Sequence, residues 1–334
     1  MVRTPFTLSA LALTGGGVLG LFTGRMLERL AELRREAVGV SDPTKAHLRE
    51  AFDLIAGTSI GALIAGGLVV GHAPEELCTL IKDNAARIFP NKSSINRLLH
   101  LRSAWFRSKP LQDVVLSVID RDVCLGDLEH HIAIPALRES TGEPIVFTTL
   151  NAAHAGVSLA DAVLASAAAP IYFPARQIDR DRYVDGGLFA NAPDLTAVNL
   201  LRRKWPQVPI NRISVVSIGT TSASAESPVP HSETGDWGLW RWFASPSARL
   251  VKLALRAQSD HTINAMSLLQ LDAFHRIDEH LTFKEGTRLD MDNARADALA
   301  CLNDVAERRL QRLTRTEADA LRQIVSRWRW RDPA

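Results

Sequence analysis

A serine set between two glycines, at positions 57, 59 and 61, is the feature of this chain best suited to chemistry. The apolar run Phe52-Asp53-Leu54-Ile55-Ala56 ends at Gly57, which is the pattern of a buried parallel strand over Phe52–Ala56. Gly61 to Val70 is rich in Ala, Leu and Ile and reads as a buried helix. Ser59 then falls on the turn between them, in the arrangement G-x-S-x-G. There a tight strand-to-helix turn pushes a serine hydroxyl out of the fold. Small Gly57 and Gly61 allow the strand and helix to approach closely. The helix N-terminus directs its dipole at Ser59 and leaves the Ile60 N–H for an oxyanion. With glycine at about 7% of residues, chance places this pattern in roughly one chain in ten of this length, so a plain structural turn is the alternative.

A serine hydroxyl is a poor nucleophile until a neighbouring base takes its proton. In a Ser-Asp-His arrangement the histidine comes after the acid, and His231, His261, His275 and His280 are available. None of them stands in a distinctive loop. Upstream, Phe6–Leu13 reads as a first strand running into Thr14-Gly15-Gly16-Gly17-Val18-Leu19-Gly20, with an amphipathic helix from about Leu21 to Arg35. The glycine run formally fits a dinucleotide fingerprint. That fingerprint also needs a second strand ending in an acid about twenty residues on. Here the polar loop Ser41-Asp42-Pro43-Thr44-Lys45 stands instead, with no strand before Phe52. The other use of such a loop is to aim backbone N–H groups at an anion, which in acyl transfer is the tetrahedral intermediate. Downstream, Val184-Asp185-Gly186-Gly187 places an acid on a turn of two glycines.

The glycine loop, the Ser59 turn and the Asp185 turn, in that order, resemble the patatin-like phospholipase family, which uses a Ser-Asp dyad without histidine. Ala165-Ser166-Ala167-Ala168-Ala169-Pro170 with Phe173-Pro174 belongs to the same resemblance, which covers roughly residues 6–220. It implies Ser59 as nucleophile, Asp185 as general base, and the backbone of Gly15, Gly16 and Gly17, with Ile60, as oxyanion hole. Gly57, Gly61, Gly186 and Gly187 would support the two turns. The implied fold is a three-layer α/β/α sandwich with a mostly parallel central sheet, and no metal or cofactor is needed for the chemistry. One departure stands out: the family commonly carries Arg or Lys before the last glycine of the loop, where this chain has Leu19.

Phe52–Gly61, Tyr183–Asp194 and Ser217-Ile218-Gly219-Thr220-Thr221 resemble a narrower group, bacterial anti-phage (CBASS) phospholipases switched on by a cyclic oligonucleotide. That likeness implies membrane phospholipid as substrate and a cyclic dinucleotide as allosteric activator. It also implies peripheral association with the inner membrane when active. A soluble esterase or thioesterase with a Ser-His-Asp triad and a non-catalytic nucleotide-binding module on Gly15–Gly20 are the alternatives.

The elements that must position these residues alternate between strands and helices, which predicts one α/β domain over 1–334 with a core to about 220 and C-terminal helical additions. Expected helices are Pro74–Ile88, Leu111–Ile119, Ser158–Ala168 with Ser158 as N-cap, Asp194–Lys204, Pro246–Leu271, 293–313 and 316–328. Expected strands are Ile145–Leu150, Ile213–Ile218 and Ala273–Ile277, while Asp127–Ile134 is ambiguous and its His130-His131 pair reads as surface. With 46% hydrophobic and 23% charged residues, the composition is that of a globular chain with a sizeable core. A net charge of +2 makes no case for DNA or RNA. Cys78, Cys124 and Cys301 have no metal-ligand spacing and read as buried thiols of a reducing compartment. The N-terminus lacks the pattern of a signal peptide. The expected location is therefore cytoplasmic, and a homo-oligomer is compatible with this reading.

Two further stretches carry expectations. From 84 to 112 there is no acid, while Arg87, Lys92, Arg97, Arg102, Arg107 and Lys109 are interleaved with Phe89, Trp105 and Phe106. This is either a solvated basic face or a contact for lipid headgroups or phosphate, with Arg97, Arg102 and Arg107 the candidates. Trp237, Trp240, Trp242 and Phe243 come after a Ser/Pro/Glu-rich loop and read as packing, lid or interfacial anchor.

Overall fold

The structure, a computed structural model, describes residues 7–40, 46–91, 103–221 and 249–329. In chain order the strands are β1 (Leu8–Leu13), β2 (Leu54–Gly57), β3 (Ile132–Arg138), β4 (Glu143–Thr148), β5 (Arg176–Ile178), β6 (Asp181–Asp185), β7 (Ile213–Ile218) and β8 (Ala273–Ile277). The helices are α1 (Gly20–Val38), α2 (Ile60–Val70), α3 (Pro74–Ile88), α4 (Ser108–Val118), α5 (Leu159–Ser166), α6 (Gly187–Ala190), α7 (Asp194–Lys204), α8 (Arg249–Leu268), α9 (Phe283–Gly286), α10 (Ala296–Gln311) and α11 (Arg315–Val325). The Trp237–Phe243 cluster lies outside the described residues.

β3, β2, β1, β7 and β8 form a parallel sheet in that order, and β4, β5 and β6 extend it with antiparallel pairings. The strands alternate in what they bury. Leu11, Leu13, Ile55, Ile134, Val216 and Ile218 face the core shared with α1, α2, α3, α5, α10 and α11. Their neighbours Ala10, Ala12, Ala56, Ala133, Ile213 and Val215 face α7 and Met266 of α8. Helices therefore cover both faces, and the layering is α/β/α, as expected. Alanines on the second face allow α7 to lie close against the sheet. The C-terminal helices α10 and α11 pack on α1, where fully buried Arg34 donates to the carbonyls of Val325 and Arg327.

The position of β6 decides the site, and β6 is absent from the sequence expectations. β4 pairs along one edge of β3 from Ala133 to Arg138. The other edge is shared: β2 runs parallel to its start, with Ala56 opposite Ala133, and β6 runs antiparallel to its end, with Asp185 opposite Ala136. β2 and β6 thus meet head to head, three β3 residues or roughly 10 Å apart. Ser59 leaves the end of one and Asp185 ends the other.

Three local expectations are corrected. Asp185 is the last residue of a strand rather than a turn residue. His130 is only 4% exposed, with Nε2 2.9 Å from Glu50 Oε1, so it is a satisfied interior histidine. Of the cysteines only Cys78 is buried, and burial pushes its thiol up to about 12. Ser158 stands at the N-cap of α5, as expected, but makes no cap bond with its side chain, whose hydroxyl donates to Arg121 O at 3.1 Å.

Gly57 and Gly61 allow the approach expected of them. A Cβ on Gly61 would stand 2.3 Å from Leu13 O, at the end of β1. That neighbour is backbone and has no rotamer to change. Gly61→Ala is therefore expected to lower stability by about 2–3 kcal/mol or more, read as a shift of the urea midpoint.

Candidate active site

The turn from β2 into α2 holds Ser59 at φ 56° and ψ −119°. A non-glycine residue in that region is strained, and the strain persists only where the surroundings over-determine it. Here they do. The Ser59 N–H donates to Ser166 Oγ at 3.0 Å, and Thr58 Oγ1 donates to Ala190 O at 2.6 Å. Ser166 is fully buried, at the end of α5. Two residues on, the Ala168 carbonyl accepts the Asp185 N–H at 3.0 Å. One short segment therefore holds both the serine turn and the acid. In the sequence this segment belongs to the resemblance, with no role assigned to Ser166.

Ser59 and Asp185 line one cavity, together with Gly16, Gly17, Asn191, Ala167, Ala169, Phe89, Tyr172, Phe173, Leu255 and Met291. No histidine lines it among the described residues. Asp185 is 3% exposed, and burial pushes its carboxyl up to about 7. The Gly187 N–H, 2.7 Å from Oδ1, and the Ser59 hydroxyl favour the ionised form and limit the rise.

The glycine loop divides into two parts. Gly15 donates its N–H to Asn191 O at 3.0 Å, so it is not the oxyanion donor the resemblance implies. Its role is close approach: a Cβ there would stand 2.4 Å from Asn191 Oδ1 and 3.2 Å from Ser59 Cβ. Gly16 and Gly17 face the cavity, with Gly17 at φ +57°. The Ile60 N–H is at the first position of α2, ahead of any intrahelical acceptor. Gly186 lies against Pro135 O, where a Cβ would come within 2.2 Å, and so allows β6 to end beside β3.

The opposite wall is aromatic. Phe89, Phe106, Tyr172 and Phe173 pack with centroids 5.4–6.2 Å apart, and Trp105 stands 5.3 Å from Tyr172. The turn that presents Tyr172 holds Ile171 at φ 74°, a strained position for a β-branched side chain. Phe89, Trp105 and Phe106 of the 84–112 segment thus belong to the cavity wall and its support. Arg97 and Arg102 lie outside the described residues, and Arg107 is exposed at the N-cap of α4, off the cavity lining. Asp113 pairs with both Arg87 and Lys109. Among the described residues no group of His, Cys, Asp and Glu is placed to hold a metal ion, and no helix is long and apolar enough to cross a membrane.

Residues 11–198 match the family model for patatin-like phospholipase. The chain belongs to the patatin-like phospholipase family. It is 31% identical to the cGAMP-activated phospholipase of Vibrio cholerae over 319 residues, covering 87% of each chain. It is also 31% identical to the cGAMP-activated phospholipase of Escherichia coli, over 88% of this chain and 86% of that one. A cUMP-AMP-activated phospholipase of Escherichia coli is 31% identical over 56% of this chain and 57% of its own. The patatin-like match ends within α7, so α8 and Met291, which complete the cavity, come from beyond it.

Ser166→Ala leaves the part-buried Ser59 N–H without its acceptor and is expected to cost about 1–3 kcal/mol of stability, read from the urea midpoint. Asp185 has its carboxyl raised from 3.8 to about 7 by folding. The folded chain therefore holds that proton more tightly than the unfolded chain, and this contribution to stability is lost as pH rises from about 4 to about 7. Asp185→Asn removes the penalty, so its stability gain over the wild type is expected to be absent at pH 4 and greatest above pH 7.

Proposed function

We propose that this chain is a phospholipid acyl hydrolase working through a Ser59–Asp185 dyad and switched on by a cyclic dinucleotide. The observation that carries the dyad is a buried carboxyl, with its pKa near 7, sharing a cavity with a strained serine at a helix N-terminus. Asp185 takes the proton from Ser59 Oγ as that oxygen attacks the ester carbonyl. The Gly16, Gly17 and Ile60 N–H groups receive the oxyanion, aided by the α2 dipole. Collapse of the intermediate expels the lysophospholipid alkoxide, which takes the proton from Asp185. Water, deprotonated by the same carboxylate, then attacks the acyl-enzyme carbonyl, and the departing Ser59 Oγ takes that proton back as the fatty acid is released. A bare aspartate in water is too weak a base for this; desolvation by the apolar wall makes it adequate near neutral pH.

The aromatic wall suits an acyl chain, and only the reacting end of a lipid need enter the cavity. The rest of the lipid then stays in the bilayer while the protein works at its surface, peripherally bound. Activation by a cyclic dinucleotide rests on the three relatives, two named for cGAMP and one for cUMP-AMP, so the base at one position is the variable to survey. Anti-phage defence is the setting that the resemblance implies.

The test is purified protein on mixed phospholipid vesicles, with and without a panel of cyclic dinucleotides, reading free fatty acid. Release is expected with a cyclic GMP–AMP or a related heterodinucleotide, and activity should rise with pH through about 7. Ser59→Ala and Asp185→Ala are each expected to cut kcat roughly 10^3-fold or more. Single alanine replacements of His261, His275 and His280 should leave turnover intact. Full activity in Ser59→Ala would refute the dyad, and release unchanged across the panel would refute the activator.

A further inference from the structure

A loop of consecutive glycines is a poor holder of oxyanion donors unless something fixes it, because glycine loses more backbone freedom on ordering than any other residue. Several bonds fix this one. Thr220 Oγ1 donates to Gly15 O at 3.2 Å, and the Val18 N–H donates to Met291 O at 2.9 Å. The residue just before the glycines, Thr14, is held differently. Its N–H donates to Ile218 O at 3.0 Å, and its hydroxyl accepts from Arg276 Nη1 at 2.8 Å.

Arg276 is on β8, two strands away from β1. In register it pairs with Ser217, which pairs with Ala12, so its side chain crosses β7 on the α7 face of the sheet. Nη1 also donates to Ser217 Oγ at 2.8 Å, and Nη2 donates to Asp278 Oδ2 at 2.7 Å. The guanidinium thereby ties together the C-terminal ends of β1, β7 and β8. Gly219 leaves the space for it: a Cβ there would stand 2.1 Å from Asp278 Oδ2 and 2.6 Å from Arg276 Nη2. Fully buried Asp194, opening α7, faces the same cation. Burial pushes its carboxyl up, and Arg276 opposes the rise. A charge held this way, between two acids and two hydroxyls, has a fixed position.

We propose that Arg276 is a positioning residue for the oxyanion loop, clamping Thr14 so that the Gly16 and Gly17 N–H groups stay aimed into the cavity. The assignment rests on the reading of Ser59, Gly16 and Gly17 given above. Leu19 puts no cation within the loop itself, and Arg276 reaches it from the sheet. Neither Arg276 nor Thr14 lines the cavity, so the clamp acts on geometry and not on bound lipid.

Deleting Arg276 outright leaves Asp194 and Asp278 without their cation, and such a chain is at risk of failing to fold. Thr14→Val is the cleaner variant: it keeps the β-branched shape and the pairs to Ser217 and Asp278, and removes only the hydroxyl. On the vesicles and with the activator that support wild-type turnover, kcat is expected to fall about 10- to 100-fold with KM unchanged. Arg276→Lys should fall similarly, and the Thr14→Val/Arg276→Lys double variant should lose no more than the worse single one. Wild-type kcat in Thr14→Val, even with a lower melting temperature, would reduce the clamp to a structural role and overturn the inference. So would strictly additive losses in the double variant. Ser59→Ala run alongside separates the two claims. If it stays active, the dyad itself fails; if it is dead while Thr14→Val is normal, only the clamp fails.

Discussion

The site depends on one shared edge of β3. A strand normally gives each edge to one neighbour, but here β2 takes the first part of the edge and β6 the last. Two strands arriving from opposite ends must stop where they meet. A glycine marks each stop, Gly57 at the end of β2 and Gly186 just after β6, each packed against backbone that leaves no room for a Cβ. The proposed serine–acid pair sits at these two stops. Ser59 leaves β2 through a strained turn into α2, and Asp185 closes β6 next to the helical turn α6. The separation of 126 positions between serine and acid in the chain (185 − 59) is bridged by strand pairing and not by a long loop.

Burial does the electrostatic work at this meeting point. In water a carboxylate near 3.8 would be a feeble base; buried, the same group sits near 7. The ionised form is still supported, by the Gly187 N–H and the serine hydroxyl, so the group is held between two states rather than locked in one. This is a destabilised site: a desolvated acid, a serine at positive φ and an isoleucine at positive φ lie around one cavity. The close-packed sheet and the buried Ser166 and Thr58 bonds supply the stability that offsets it.

Legibility in the chain alone depends on how local each signal is. The serine turn, the glycine loop and the helices Pro74–Ile88 and Asp194–Lys204 are written in contiguous residues, and the two helices' bounds fall where the pattern puts them. β6 is not. Asp181-Arg182-Tyr183-Val184-Asp185 is short and mostly polar, and it becomes a strand only because β3 and β5 are there to pair with it. The same holds for side chains whose role depends on distant partners. Ser166 is one small residue among alanines, Arg276 a charge in a short strand, and His130 a surface histidine, until Ser59, Thr14 and Glu50 are brought beside them. Gly15 shows the converse: a motif marks it as a donor, but its N–H already has an acceptor in Asn191.

The family match stops within α7, yet the cavity does not. Leu255 of α8 closes one side, and a Cβ on Gly187 would come within 2.5 Å of it. Gln258 Oε1 accepts the Ala192 N–H at 3.0 Å, and Asn191 donates to Ser259 Oγ at 2.9 Å, so α8 also holds the segment that binds the glycine loop at Gly15. Lys252 pairs with Asp290, and the adjoining Met291 carbonyl accepts the Val18 N–H. Helix α8 is therefore bonded, directly or through one residue, to the regions carrying both the oxyanion donors and the acid.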